Sequence, residues 1–406
     1  MTGATKQPAA LAVLLHGTRI GVINRLSGDR YLFAFDEAYV EDTHRPTLSL
    51  SYKGASGLVT TLKPTAMRLP VFFSNLLPEG ALREYLAARA GVHPGREFLL
   101  LGQLGADLPG AVTVEPLEDS WAPQPRVEKE SGTDRAAAAL KFSLAGVQMK
   151  FSALVNGKGH VTIPASGIGG SWIVKLPSPH YPAIAENEYA MMELARSIGI
   201  DVPEIRLLPL EAIGGLPEDV SRVSGQALAV RRFDRRADGG RVHMEDFAQV
   251  FGLYPDDKYK GRHYAHIAAV LAAEAGEAAV HEFMRRLVFT VLTGNGDMHL
   301  KNWTVLYPDG RAAVLSPAYD LVATVPYLPK DSLALNFGGE KDMGRIEPNR
   351  VRRFAEKAGL PVNPLWTIVQ ETSAHIVDAW RDHAAKDLLP ASVRAAIDRQ
   401  IERAAI

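Results

Sequence analysis

Cysteine is absent from all 406 residues, which excludes disulfide bonds and thiolate-ligated metal centres and fits a reducing compartment. No stretch approaches the roughly 18 consecutive apolar residues that mark a membrane-spanning helix. Residues 1–10 are polar with a single lysine, which does not read as a signal peptide. Neither sign of charge is in excess. The 45 Lys and Arg face 46 Asp and Glu, so no global field would draw the chain onto nucleic acid or an anionic membrane. Internal repeats and low-complexity tracts are lacking too. What remains is an ordinary composition, 47% hydrophobic, on a chain long enough for two or three domains. Together these absences predict a cytoplasmic globular protein with no membrane association.

One stretch carries chemistry. Gly294-Asn295-Gly296-Asp297-Met298-His299-Leu300-Lys301-Asn302 leaves an apolar helix through two glycines, and Ser316-Pro317-Ala318-Tyr319-Asp320 follows one strand-length excursion later. An Asp, an Asn five positions on, and a second Asp near a strand end are what a phosphoryl-transfer site needs. One carboxylate faces the attacking hydroxyl, while an amide and the second carboxylate hold magnesium. The same residues also suit a polar loop between a helix and a hairpin.

Upstream, residues 11–15 and 20–23 read as strands flanking a hairpin at His16-Gly17, and 31–35 and 47–51 alternate as strands do. Helices fit 81–90 and 97–104, and 111–115 is a strand, making a small α+β module whose chemistry the residues do not disclose. Residues 116–140 are rich in Pro, Glu, Lys, Ser and Gly and read as a linker. Beyond them, 150–155 and 160–163 form a hairpin across Asn156-Gly157-Lys158-Gly159. The next strand, 171–176, carries Lys175 among Trp172, Ile173 and Val174, where an unpartnered ammonium would be costly. A helix over 185–198 follows, with Glu188 in its first turns and Gly199 at its stop. A strand lysine paired to a helix glutamate positions the lysine on nucleotide phosphates; a snorkelling Lys beside a helix-dipole Glu is the ordinary alternative. Strands 204–210 and 227–233 complete a five-stranded lobe, and from Met244 onwards the pattern is mostly helical. Before the second module stands Ser143-Leu144-Ala145-Gly146-Val147-Gln148-Met149-Lys150, a small-residue turn that would let backbone N–H groups approach phosphates, though with one glycine only.

The ordered set Ser143 to Lys150, Val174-Lys175-Leu176-Pro177, Glu186-Asn187-Glu188, Arg232-Phe233-Asp234-Arg235, His243-Met244-Glu245-Asp246, Gly296 to Asn302 and Pro317-Ala318-Tyr319-Asp320 resembles the HipA-type kinases, toxins of bacterial type II toxin–antitoxin pairs. The N-terminal module is similar through His16-Gly17, Leu48-Ser49-Leu50 and Leu77-Pro78-Glu79-Gly80. The resemblance implies an α+β, protein-kinase-like two-lobed fold behind an N-terminal α+β module. Its parts would be the module (1–115), the linker (116–140), a β-rich ATP-binding lobe (141–236) and a helical catalytic lobe (237–406).

It implies ATP and Mg2+ as cofactors. Asp297 would be the catalytic base, with His299 and Lys301 steadying the phosphoryl group and Asn302 and Asp320 holding magnesium. Lys175 would contact ATP phosphates beside Glu188, under a loop bearing Ser143, Gly146, Gln148 and Lys150. Arg231 and Phe233 would bound the adenine hinge, with Arg231 standing where family members often carry Glu. Ser143 matches the serine that family members autophosphorylate. The implied partners are a helix-turn-helix antitoxin (HipB-like), operator DNA reached mainly through it, and a protein substrate, with glutamyl-tRNA synthetase or another aminoacyl-tRNA synthetase as the precedent. Two other readings stand beside this one: a small-molecule or lipid kinase, whose catalytic loop Gly-Asp-x-His-x-x-Asn also resembles, and a catalytically silent scaffold bound to an antitoxin.

Overall fold

The structure, a computed structural model, describes residues 9–117, 150–155, 161–164, 170–216 and 225–406. The N-terminal module is built on a five-stranded antiparallel sheet in the spatial order Thr65–Ala66, Arg30–Phe35, Thr18–Leu26, Ala10–Leu15, Val112–Pro116. Its hairpin turns through His16 and Gly17, both at positive φ (+52° and +79°), the two-residue loop that matches strand twist. Leu11, Val13, Ile23, Phe33, Phe73, Phe98 and Leu101 pack into its core, closed by the helices Gly80–Arg89 and Glu97–Leu104. The alternation at 47–51 makes no strand. Leu48 and Ser49 are buried, and the chain turns through the short 3-10 helix Leu50–Tyr52, capped by the Ser49 hydroxyl.

The second sheet has six strands where five were expected, in the order Ile205–Pro209, Gln226–Arg231, Trp172–Lys175, Lys150–Val155, Val161–Thr162, Ile213–Gly214. The additional strand is two residues long and pairs in parallel with Val161–Thr162. The helix Ile184–Ser197 lies against the strands Gln226–Arg231 and Ile205–Pro209 and stops at Gly199 (φ +78°).

The large lobe surrounds the helix Glu277–Thr293, against which the helices Tyr264–Glu274, Val362–Arg381 and Ala391–Ala404 pack. Its Phe283, Leu287, Val288, Val291 and Leu292 are all buried, each contributing roughly 2 kcal/mol of transfer free energy. The lobe is less helical at its start than the sequence predicts. His243–Asp246 is a strand, paired to Thr304–Tyr307, which pairs in turn to Val314–Leu315. Three of its four residues are buried, so no alternation marks it in the sequence. Asp246 then starts the helix Phe247–Val250 through a reciprocal capping box with Gln249. The whole is α+β: a small β-rich lobe, a large helical lobe and an N-terminal α+β module.

The module docks on both lobes through polar groups. The Glu245 carboxylate accepts from Ser49 Oγ (2.5 Å), from the Leu50 backbone N–H (2.8 Å) and from the Tyr307 hydroxyl. His243 Nε2 lies 2.8 Å from the Leu48 carbonyl, and Gln249 Nε2 donates to the Phe72 carbonyl at 3.0 Å. Asp107, Arg232, Asp234 and Arg235 form a buried quartet of ion pairs at 2.8–3.2 Å. Leu48-Ser49-Leu50 and His243-Met244-Glu245-Asp246 are therefore two sides of one seam.

Candidate active site

Lys175 ends the strand Trp172–Lys175, where antiparallel register sets it directly opposite Lys150 on the neighbouring strand. Like charges placed so repel each other. The Asp320 carboxylate lies between them, taking the Lys175 ammonium on Oδ1 and the Lys150 ammonium on Oδ2 at 3.3 Å. Lys175 also bonds Glu188 Oε1 in the first turns of the helix Ile184–Ser197. Burial works against the Lys175 ammonium, yet Asp320 and Glu188 outweigh it and raise its pKa. Burial likewise pushes the Asp320 carboxyl up, and the two lysine charges override this to hold it far below the usual carboxylate range. Glu188 is pushed up by burial, against the pull of Lys175. Asp320 itself sits at φ +54°, left-handed backbone that Asp tolerates better than most residues.

The second half of the site leaves the helix Glu277–Thr293 at Gly294, which adopts φ +71°. A side chain there would meet Val325 at 2.6 Å, and one at Gly296 would meet the Asp331 carboxylate at 2.1 Å, which is why both positions are glycine. Between them, Asn295 Nδ2 donates to the Asp320 carbonyl at 3.1 Å while Asn295 Oδ1 accepts from the Asp297 backbone N–H at 3.0 Å. One side chain thus ties the two loops together. The Asp297 carbonyl accepts from the His299 N–H at 2.8 Å and from Asn302 Nδ2 at 2.9 Å, folding the segment into the 3-10 turn Leu300–Asn302. Tyr319 braces it further, its hydroxyl donating to the Lys301 carbonyl at 2.8 Å.

On this frame the Asp297 carboxylate accepts a hydrogen bond from the Tyr259 hydroxyl at 2.6 Å. Burial raises the Asp297 pKa; the Tyr259 hydrogen bond pulls the other way, and the charge of Asp320 adds to the rise. His299 is buried with Nδ1 lacking a hydrogen-bond partner among the described residues. Burial, then the charge of Lys258, lowers its pKa to about 3, so it is neutral near pH 7. Lys301 points to the N-terminal module instead. Its ammonium donates to Asn75 O and Oδ1 at 3.0 Å and to Asp246 Oδ2 at 2.9 Å, with Glu79 at 3.5 Å.

Lys150, Lys175, Glu188 and Asp320 are therefore brought to one place, and Asn302 folds against Asp297 on the loop tied to Asp320 through Asn295. Arg231 is not among them: its guanidinium turns to the exposed Glu204 at 3.5 Å. The Phe233 ring packs 5.5 Å from that of Tyr319, next to Asp320. Ser143, Gly146 and Gln148 lie outside the described residues. Tyr259, Asn295 and Asn75 escaped the sequence reading. Only Asn295, inside the glycine-flanked stretch, carried a local signal.

Among the described residues there is no group of three His, Cys, Asp or Glu side chains that could cage a metal. A carboxylate and an amide are hard oxygen donors, and magnesium is typically held by one or two such groups together with nucleotide phosphates and water. Asn302 donates its amide N–H to Asp297, leaving its carbonyl oxygen as the end suited to a cation. Asp320 already holds two ammonium cations. Asn302 and Asp320 are thus the residues here whose oxygens are of the type magnesium accepts, and a cation at Asp320 would have to share its carboxylate with the two lysines.

Among the described residues no helix is long and apolar enough to cross a membrane. Residues 142–380 match the family described as HipA-like C-terminal domain, and residues 11–115 match HipA N-terminal domain. Y4dM of Sinorhizobium fredii (strain NGR234), designated a kinase by inference, is 52% identical over 95% of this chain and 94% of its own length. The serine/threonine-protein kinase toxin HipA of Shewanella oneidensis is 28% identical over 85% of this chain and 83% of its own. A chain from the solved complex of the Shewanella oneidensis MR-1 toxin–antitoxin system, HipA, HipB and its operator DNA, superposes with a TM-score of 0.72. That match covers 96% of this chain and 95% of the other at 23% identity, a likeness of fold.

Proposed function

This chain belongs to the HipA family, and from that premise we propose that it is an ATP- and magnesium-dependent serine/threonine protein kinase. The observation that carries the reading is Asp320, held by Lys150 and Lys175, tied through Asn295 to the loop that presents Asp297. Asp297 accepts the proton of an acceptor hydroxyl as that oxygen bonds the γ-phosphorus. The bond from the γ-phosphorus to the β–γ bridging oxygen breaks, and ADP leaves with the electron pair. Burial raises the Asp297 pKa, which strengthens its carboxylate as a base. Lys175, fixed by Glu188, holds the α- and β-phosphates, and Lys150 adds a second positive charge. Magnesium, when bound with the nucleotide, neutralises developing phosphate charge, and Asn302 and Asp320 are the residues that would hold it. His299, kept neutral, offers an uncharged hydrogen bond to the transferring group. Lys301 holds the loop in place, its ammonium being committed to Asn75 and Asp246. Arg231 and Phe233 bound the hinge, where backbone groups receive adenine.

The finer reading follows the relatives. The chain acts in the cytoplasm as a growth-inhibiting toxin restrained by a helix-turn-helix antitoxin, through which it reaches operator DNA; the Shewanella complex of HipA, HipB and operator DNA supports this. Its substrate class is an aminoacyl-tRNA synthetase, glutamyl-tRNA synthetase first. Phosphate on Ser143 would add about −1.5 to −2 charges beside the nucleotide and repel its phosphates, switching the kinase off. The test is transfer of γ-labelled phosphate from Mg-ATP to protein, alone and with cell extract, followed by mass spectrometry. Label on Ser143 and on a synthetase is expected, with none from Asp297→Asn. Undiminished transfer by that variant overturns the reading.

A further inference from the structure

The chain bends through the short turn Pro255–Asp257 and then runs over the loop that carries Asp297. Its hold there is double. The Lys258 carbonyl accepts from the Leu300 N–H at 3.2 Å, and the Lys258 ammonium bonds Glu79 Oε2 of the N-terminal module at 2.8 Å. The next residue, Tyr259, stands edge-on to the His299 ring at 5.0 Å, with the Lys258 ammonium 5.7 Å from its own ring centre. Its phenol reaches Asp297 Oδ1 at 2.6 Å, within the 2.5–2.7 Å range of an O–H donating to an ionised carboxylate. Among the described residues no other side chain donates to that carboxylate. Yet Tyr259 is 43% exposed, so packing does little to explain a large aromatic side chain here. A general base must stand about 2.6–3.2 Å from the oxygen whose proton it takes. The Tyr259 hydroxyl meets that condition from the solvent side. Burial and the charge of Asp297 raise its pKa, so it remains a donor at any ordinary pH.

We propose that the Tyr259 hydroxyl occupies the acceptor's place: the chain keeps its base bonded to an internal hydroxyl until a serine or threonine hydroxyl, or water, displaces it. The proposal rests on Asp297 being the base of a kinase. It marks the acceptor entrance as the space bounded by Tyr259, His299, Lys258 and Glu79. An incoming hydroxyl must compete with a charge-assisted hydrogen bond, so Tyr259 sets the acceptor's KM and holds back hydrolysis. In hydrolysis, water oxygen bonds the γ-phosphorus, its proton passes to Asp297, and the bond to the bridging oxygen breaks to release ADP and phosphate.

The test is phosphate release from Mg-ATP by the full chain, comparing wild type, Tyr259→Phe, Tyr259→Leu, Asp297→Asn and the Tyr259→Phe/Asp297→Asn double variant. Phe keeps the ring against His299; Leu checks the loss of the hydroxyl in a second setting. Hydrolysis should rise roughly tenfold in both single Tyr259 variants, the equivalent of one such hydrogen bond, with the KM for ATP unchanged. The double variant should be no faster than Asp297→Asn. A rate at or below wild type in both Tyr259 variants, with thermal midpoints retained, overturns the proposal while leaving the kinase reading standing. Full activity in Asp297→Asn overturns both.

Discussion

Lys150 and Lys175 stand directly opposite one another on adjacent antiparallel strands, and each takes one oxygen of the same carboxylate, Asp320. Two ammoniums in register is an arrangement a sheet avoids unless an anion lies between them. The large lobe supplies that anion as Asp320. A strand pairing in the small lobe and a loop of the large one are parts of a single charge balance.

That balance is unequal, and the inequality is measurable. The Lys175 side chain is 6% exposed and Lys150 45%. Lys175→Met should cost about 3 kcal/mol, because it strips buried Glu188 and Asp320 of a partner, whereas Lys150→Met should cost under about 1 kcal/mol. Urea denaturation midpoints of the two variants check this, and the reverse ranking would refute it.

Asp297→Asn should lower phosphoryl transfer by roughly 10²–10⁴-fold, the usual contribution of a positioned base, without loss of fold. The backbone bonds that shape its loop come from the Asp297 N–H and carbonyl and not from the carboxylate, so they survive the change. Labelled-phosphate transfer and a thermal melt, run on the same preparation, check both halves.

Asn295→Ala should loosen the loops from one another and cost about 1–3 kcal/mol, since the Asp297 N–H and the Asp320 carbonyl each lose a buried partner. Asn295→Asp keeps the acceptor but turns a buried carboxylate oxygen onto the Asp320 carbonyl, so it should be at least as destabilising as Ala. Equal rates for Ala and wild type would show that the tie does not set the geometry.

The seam between module and lobe should carry a pH signature. Burial pushes Glu245 up to about 7 from an ordinary value of 4.5, so the folded state binds its proton more tightly than the unfolded chain. Stability from this group is full below about pH 4.5, declines as pH rises, and is gone above about 7. The span corresponds to roughly 3 kcal/mol. His243, lowered to about 4 by burial, and His299, lowered to about 3, run the other way and lose stability as pH falls below their ordinary 6.5. Glu245→Gln isolates the glutamate. The wild-type minus variant difference in unfolding free energy should fall from pH 4.5 to 7 and then level off. A flat difference would refute the assignment.

The parts of this site that a reader of the sequence can find are those written within a few residues. The Asp297-to-Asn302 spacing is local, Lys175 betrays itself as a charge in an apolar strand, and Glu188 falls on an evident helix. What escapes is set by pairing across distance. Register alone puts Lys150 opposite Lys175. Tyr259 sits in a turn without periodicity, and its role depends on where that turn crosses the loop. The buried strand His243–Asp246 passes for the start of a helical region because both its faces are covered. The alternation at 47–51 comes from Leu48, in the core of its own module, and Leu50, packed against the core of the lobes, and so mimics a strand.

Lys301 takes part of its anchorage from Asn75, 226 positions earlier in the chain. At typical synthesis rates of about 5–20 residues per second, roughly 10–45 s separate the emergence of the two. The earlier segment can thus leave the ribosome as a preformed mould before the later one exists. Gln400, whose Nε2 bonds the Val291 carbonyl at 2.8 Å, emerges later still. A nascent polypeptide that has not reached Gln400 lacks that clasp on the helix Glu277–Thr293, the helix that leads into the Asp297 loop.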